Sequence, residues 1–224
     1  MIAAILLLVA LAAPQTLPLY ETPDLQGKLY KSVFVPGAGA LTVADLPKLP
    51  EPARTRLERY LARRAAFKSQ LKGGATTMAD VAIEAKRRRL EGAIVALIDA
   101  PEIDRLAAEY AQGAKVVADW ERSPMGPLLE AEYAEDALKQ NPSSPLAPFL
   151  YVFIAQRQRA AFEAMTPDKQ KDAMSAAAKK YRTFMQRTRA AEDPIFTLLA
   201  DDLDRQASVH VGSAHHPRDF NPDT

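Results

Sequence analysis

The prolines of this 224-residue chain mark where its secondary structure begins and ends. No proline lies between Pro52 and Pro101, and several later prolines stand where an apolar, helix-like stretch begins. Proline lacks a backbone N–H, so it is tolerated in the first turn of a helix but disrupts a helix interior. The pattern therefore divides the chain after residue 50 into segments that each suit one helix.

The apolar residues within these segments recur three and four positions apart, as on one face of a helix. Alanine, the best helix former, is also frequent, whereas the chain has 9 glycines. We therefore predict an all-α protein of about seven helices, with the fifth and most apolar helix at its centre. The predicted helices span residues 51–72, 78–99, 101–121, 127–140, 145–164, 167–190 and 194–207.

The amino terminus has the features of an export signal. Ile2 to Ala13 form an unbroken apolar run that ends at Pro14, and this length suits a signal peptide but is too short for a transmembrane helix. Ala10-Leu11-Ala12 fits the small-x-small cleavage pattern, which predicts a signal peptide over residues 1–12. No basic residue precedes the run, which leaves a misplaced start codon or an uncleaved interfacial anchor as alternatives. We expect export to a bacterial periplasm or the extracellular space.

The rest of the chain divides into three parts. Residues 13–50 are rich in proline and lack a helical period, so we expect an extended arm packed on the body. Residues 51–207 are predicted to form a single all-helical domain. Residues 208–224 contain Gly, Pro, Asn and Asp without an apolar stripe, which favours a disordered tail.

Residues 124–207 contain two predicted helix pairs, which begin near Pro124 and Pro167. Within them, NPSSPLAPFLYVFIAQRQRAAFE supplies a proline-containing turn and the helix that follows it. This region resembles the helical hairpins of tetratricopeptide-like proteins. The resemblance implies antiparallel helix pairs, arranged as a short α-solenoid or as an irregular helical bundle.

Charge is distributed by segment, although the formal net charge is only +1. Residues 51–72 carry seven basic and two acidic side chains, and residues 166–192 carry seven and three, whereas residues 100–140 and 193–207 are acidic. Complementary packing of these helices is one interpretation. The other is a basic face on the first helix for an anionic partner, formed by Arg54, Arg56, Arg59, Arg63 and Lys68. The small net charge, together with the lack of aromatic residues within the run Lys86-Arg87-Arg88-Arg89 of the second helix, speaks against nucleic acid as that partner.

Three aromatic residues form a second candidate binding surface. Trp120, the only tryptophan, together with Tyr110 and Tyr133 would line a groove between the third and fourth helices. Tryptophan and tyrosine are common anchors at binding surfaces. The alternative is a core role, because large aromatic side chains are mostly buried.

No catalytic motif is recognisable in the sequence. The chain has no cysteine, and its three histidines, His210, His215 and His216, lie in the predicted tail, where ligand geometry is not fixed. We therefore expect no metal or cofactor. Two carboxylate clusters remain, either as solvated acidic faces or as a pair for glycoside hydrolysis. They comprise Glu130, Glu132, Glu135 and Asp136, and Asp201, Asp202 and Asp204.

These observations favour an exported, all-helical binding or adaptor protein without catalysis, whose partner is a protein or an envelope component. One alternative is a carboxylate-dependent hydrolase of cell-envelope glycans. Another is a chaperone-like envelope protein, which would expose a concave apolar patch. No transmembrane span is expected, and the sequence leaves the oligomeric state open.

Overall fold

The computed structural model describes residues 22–23, 29–30, 46–47, 49–70, 78–114, 123–205 and 216–220. Over these residues it confirms an all-α protein. Its seven helices are α1 (Ala53–Gln70), α2 (Met78–Leu97), α3 (Ile103–Gly113), α4 (Met125–Gln140), α5 (Ala147–Ala164), α6 (Pro167–Ala190) and α7 (Pro194–Arg205). Two strands of two residues each, β1 (Thr22–Pro23) and β2 (Leu29–Tyr30), pair in antiparallel fashion. The helix bounds differ from the predicted ones by at most a few residues, except that α3 is described only to Gly113.

The central position predicted for the fifth helix is confirmed. Helix α5 packs against α4, α6 and α7, and every residue from Val152 to Glu163 is buried. Its Phe149 stacks on Phe153 and meets the ring of Phe196 of α7 edge-on. Because neighbours surround α5, its polar side chains are buried together with its apolar ones.

Helices that follow each other along the chain pack together. Helix α1 packs on α2, α2 on α3, α4 on α5, and α5 on α6. The turns that join α4 to α5 and α5 to α6 are only a few residues long, which makes these helices antiparallel neighbours. Helix α1 also contacts α7, so the first helices of the body are tied to the last one.

Side chains accept backbone N–H groups at the starts of two helices. Asp193 Oδ1 accepts the N–H groups of Ile195 and Phe196 at the start of α7, and Ser144 Oγ accepts an N–H before α5. Thr166 stands at the start of α6, but its side chain makes no cap hydrogen bond. Its backbone N–H instead donates to Oε1 of Gln170 at 3.1 Å. Both arrangements satisfy donors that a helix start leaves without a helical partner.

Two segments outside the helices pack onto the body. At the end of the predicted arm, Leu49 is buried in the core and Leu46 packs against it. Residues 216–220, which we call the C-terminal clasp, lie within the predicted disordered tail but are held against α5, α6 and α7. The ring of Phe220 meets that of Phe162 edge-on, and Arg182 Nη1 donates to the carbonyl oxygen of Pro217. The tail prediction was therefore wrong for these five residues, because side chain–backbone bonds hold them without an apolar stripe.

The predicted signal peptide, most of the arm and the other tail residues lie outside the described residues. Among the helices that the structure describes, none combines the length and the apolar character needed to cross a bilayer.

Candidate functional site

The arginines predicted to form a basic face on α1 bind other parts of the body instead. Arg56 is buried, and its Nη1 donates to the carbonyl oxygen of Leu97 at 2.9 Å and to Oδ2 of Asp193 at 2.8 Å. It thus joins α1 to the end of α2 and the start of α7. A cation near exposed carbonyls at a helix end stabilises that helix.

Two neighbouring arginines also donate inward to backbone carbonyls. Arg59 Nε donates to the carbonyl oxygen of Ala96, and Arg54 Nη2 to that of Leu49. The side chains of Arg63 and Lys68 lie outside the described residues. Arg54, Arg56 and Arg59 thus contact groups of the body itself. Arg56 and Arg59 donate to carbonyl oxygens at the end of α2, and carboxylates lie within ion-pair distance of Arg56 (Asp193) and Arg54 (Glu51).

Of the aromatic candidates that the structure describes, Tyr110 is buried in the core and Tyr133 packs against it. Tyr110 is 5% exposed, and its ring centroid lies 5.3 Å from that of Tyr133. Burial raises the pKa of Tyr110 well above its usual range. The hydroxyl of Tyr133 occupies the space where a Cβ on Gly113 would stand, so only glycine fits there without a shift. Trp120 lies outside the described residues.

Two buried arginines of α5 are neutralised by glutamates. Arg157 Nη1 lies 3.0 Å from Oε2 of Glu130 on α4, and Arg159 Nε lies 2.8 Å from Oε1 of Glu163. All four side chains are almost completely buried. Loss of one partner from such a buried pair removes the opposite charge that compensates the desolvation of the other.

The carboxylates considered for hydrolysis are mostly engaged by cations. Glu135 binds Lys180 at 2.7 Å and Asp136 binds Lys139 at 2.8 Å, while Arg189 binds both Asp201 and Asp204. Buried Glu130 forms an ion pair with Arg157, and Oδ1 of Asp202 lies 3.9 Å from Nη2 of Arg205. These ion pairs explain most of the carboxylates in the two clusters without a catalytic role. Within the described part of the chain, no cluster of histidine and carboxylate side chains has the arrangement of a metal site.

The structure instead presents a groove of about 620 Å³ between α4, the turn that follows it, and α6. We call this feature the basic groove. Its ten lining residues are Glu135, Leu138, Lys139, Pro142, Ala176, Lys179, Lys180, Thr183, Phe184 and Arg187. Four of them are cationic and one is a carboxylate, which gives the groove a net charge of +3. The floor is apolar, since Leu138 and Phe184 are buried in the core beneath it.

The cations of the basic groove differ in how far they are neutralised. Lys180 is paired with Glu135 and Lys139 with Asp136, and the hydrogen bond to Asp136 raises the pKa of Lys139. Lys179 and Arg187 are both exposed, and no carboxylate of the described residues lies within ion-pair distance of either. The Arg187 guanidinium lies 5.1 Å from the centroid of the Phe184 ring, which holds its charge over the groove by a cation–π contact.

The sequence contained a signal for this groove. Residues 166–192 form a basic segment, and positions 176, 179, 180, 183 and 187 recur at helical spacing on one face of α6. The sequence did not show which helix lies opposite that face. Helix α4 supplies Glu135, Leu138 and Lys139, and only the packing brings them to the same groove.

A second cluster of polar groups holds the C-terminal clasp. The backbone N–H of Arg218 donates to Nδ1 of His216, so Nε2 carries the proton and donates to the carbonyl oxygen of Leu203 at 3.1 Å. Burial, together with the positive charge of Arg159, lowers the pKa of His216 to about 4. Tyr181, whose ring meets that of His216 edge-on, donates to Asp204 at 2.6 Å. These contacts give a carbonyl oxygen at the end of α7 a hydrogen-bond donor and hold the C-terminal clasp against the body.

The basic groove is therefore a surface of the described residues that combines unneutralised charge, an apolar floor and access from solvent. No protein-family model matches the chain, and no curated protein or solved structure is significantly similar to it. The resemblance to tetratricopeptide-like hairpins accordingly stays a prediction, and any functional argument depends on the groove itself.

Proposed function

We propose that this protein is a helical binding protein whose basic groove holds an anionic partner by non-covalent contacts. The observation that carries the proposal is the pair of exposed cations, Lys179 and Arg187, above an apolar floor. Elsewhere in the described body, many arginines are engaged by carbonyls or carboxylates. In the basic groove, by contrast, no carboxylate of the described residues neutralises the charges of Lys179 and Arg187.

A charge-reversal experiment tests this proposal. The variant Lys179→Glu/Arg187→Glu changes two exposed groove residues, and Lys169→Glu/Lys171→Glu makes the same charge change on exposed positions of α6 outside the groove. Binding is measured for labelled polyglutamate, an acidic peptide, heparin and phosphatidylglycerol vesicles at about 0.05 M salt, where screening is weak. We expect at least one probe to bind the unmodified chain and the control variant but not the groove variant. Equal losses in both variants, or no binding of any probe, would overturn the proposal.

Export of the protein is a separate part of the proposal. The apolar run Ile2 to Ala13 and the triplet Ala10-Leu11-Ala12 support a cleaved signal peptide. Mass spectrometry of the protein from fractionated cells tests it. A mature chain that begins at Ala13 in the envelope or extracellular fraction supports export, and an intact amino terminus in the cytosol contradicts it.

A further inference from the structure

The basic groove has two kinds of surface, and a single ligand must satisfy both. Lys179 and Arg187, which are exposed, form its rim, and Leu138 and Phe184, which are buried in the core, form its apolar floor. An apolar ligand group gains by leaving water against such a floor. A ligand with only anionic groups would neutralise the rim and leave the floor in contact with water.

The spacing of the two unneutralised cations sets the length of the ligand. Lys179 and Arg187 are eight positions apart on α6, or about 12 Å along the helix axis. In an extended peptide, side chains four positions apart lie on the same face at a separation of about 13 Å. The peptide side chain midway between these two lies on the same face of the peptide. It would therefore meet the part of the groove that Thr183 and Phe184 line.

Glu135 argues against a densely charged polymer as the ligand. Its side chain is only 15% exposed and binds Lys180 in the groove wall, so this wall carries a negative charge between cations. A polyanion with a charge on every unit would bring a like charge towards Glu135. A peptide with a neutral residue between two acidic ones avoids this repulsion.

We propose that the basic groove recognises an extended peptide of the pattern acid-x-apolar-x-acid. Its two carboxylates bind Lys179 and Arg187, and the apolar side chain between them packs on the floor near Phe184. This inference rests on the proposed function, and it names the chemical class of the partner as an acidic polypeptide segment.

Three capped and labelled peptides of equal length test the pattern on the full chain by fluorescence anisotropy. AEAFAEA carries the proposed spacing, AEAAAEA lacks the apolar side chain, and AAEFEAA has the composition of the first with the acids moved next to Phe. We expect AEAFAEA to bind about tenfold more tightly than either control peptide. Lys179→Glu/Arg187→Glu should weaken that binding by more than about tenfold. Lys169→Glu/Lys171→Glu should change it by less than about twofold.

A second variant tests the apolar contact without changing any charge. Thr183→Trp places a large ring in the groove, so binding of AEAFAEA should fall to the level of AEAAAEA while the weak binding of AEAAAEA is retained. Circular dichroism melts establish that each variant is folded. Equal binding of the three peptides, or tighter groove-dependent binding of heparin, polyglutamate or phosphatidylglycerol vesicles, would overturn this inference and leave the proposed function standing. Loss of groove dependence for every probe would overturn both.

Discussion

The ion pair between Glu130 and Arg157 provides the sharpest test of how the helical body is held together. Replacement of Glu130 by leucine would leave the Arg157 guanidinium charged in the interior, where the side chains of the two residues are 3% and 0% exposed. At an effective dielectric constant of about 20, opposite charges 3.0 Å apart attract each other by about 5 kcal/mol. Desolvation offsets much of this attraction in the intact pair, but the Arg157 charge retains its desolvation cost when the attraction of the Glu130 carboxylate is removed.

We therefore expect Glu130→Leu to lower the free energy of unfolding by about 3–5 kcal/mol. The double variant Glu130→Leu/Arg157→Met replaces both charges with apolar groups, and it should recover most of that loss. Glu132→Leu is the matched control, because Glu132 is exposed on the same helix and its replacement should change stability by about 0.5 kcal/mol or less.

Urea denaturation followed by circular dichroism at 222 nm measures all three variants against the unmodified chain. The slope of each transition establishes whether the unfolding remains cooperative. A loss below about 1 kcal/mol for Glu130→Leu would refute the reasoning, since such a value is typical of an exposed pair. A double variant less stable than the single one would also refute it.

Three further predictions concern backbone conformation, close packing and pH. Glu192 follows α6 with a φ of 54°, so Glu192→Gly should raise the free energy of unfolding by up to about 1 kcal/mol in urea denaturation, whereas Glu192→Ala should not. Gly113→Ala should displace the Tyr133 ring, lowering stability by about 1–3 kcal/mol and changing the near-UV circular dichroism. The pKa of His216 is about 4 in the folded chain and about 6.5 when unfolded, so the unfolded state binds more protons between these values. The stability that neutral His216 gives the clasp is then complete above pH 6.5 and declines as the pH falls towards 4. Hydrogen exchange of the clasp amides should show this decline, and His216→Ala should abolish it.

Much of the helical architecture could be read from the sequence because local chemistry determines it. The prolines marked the starts of the helices other than α2, and the apolar character of α5 predicted its central position. Glu130 of α4, which pairs with Arg157 of α5, belongs to one of the two carboxylate clusters that the sequence showed.

The candidate binding surface could not be read in the same way because it depends on tertiary packing. The arginines of α1 looked like a free basic face, yet Arg56 reaches a carboxylate 137 positions further along the chain. The charge of α6 was visible, but the groove exists only because α4 lies opposite Lys179 and Arg187. The clasp has no periodic pattern, since it is held by single bonds such as that from Arg182 to Pro217.

Site-specific photo-crosslinking in cells tests the central claim, that the basic groove is the binding surface, most directly. A benzophenone side chain at Ala176 would stand in the groove, and the same side chain at Ala173 would stand on an exposed part of α6 outside it. The account predicts a recurrent polypeptide adduct from position 176 that is absent from position 173 and lost in the Lys179→Glu/Arg187→Glu background. Identical adducts from both positions, or an adduct that survives the charge reversal, would contradict it.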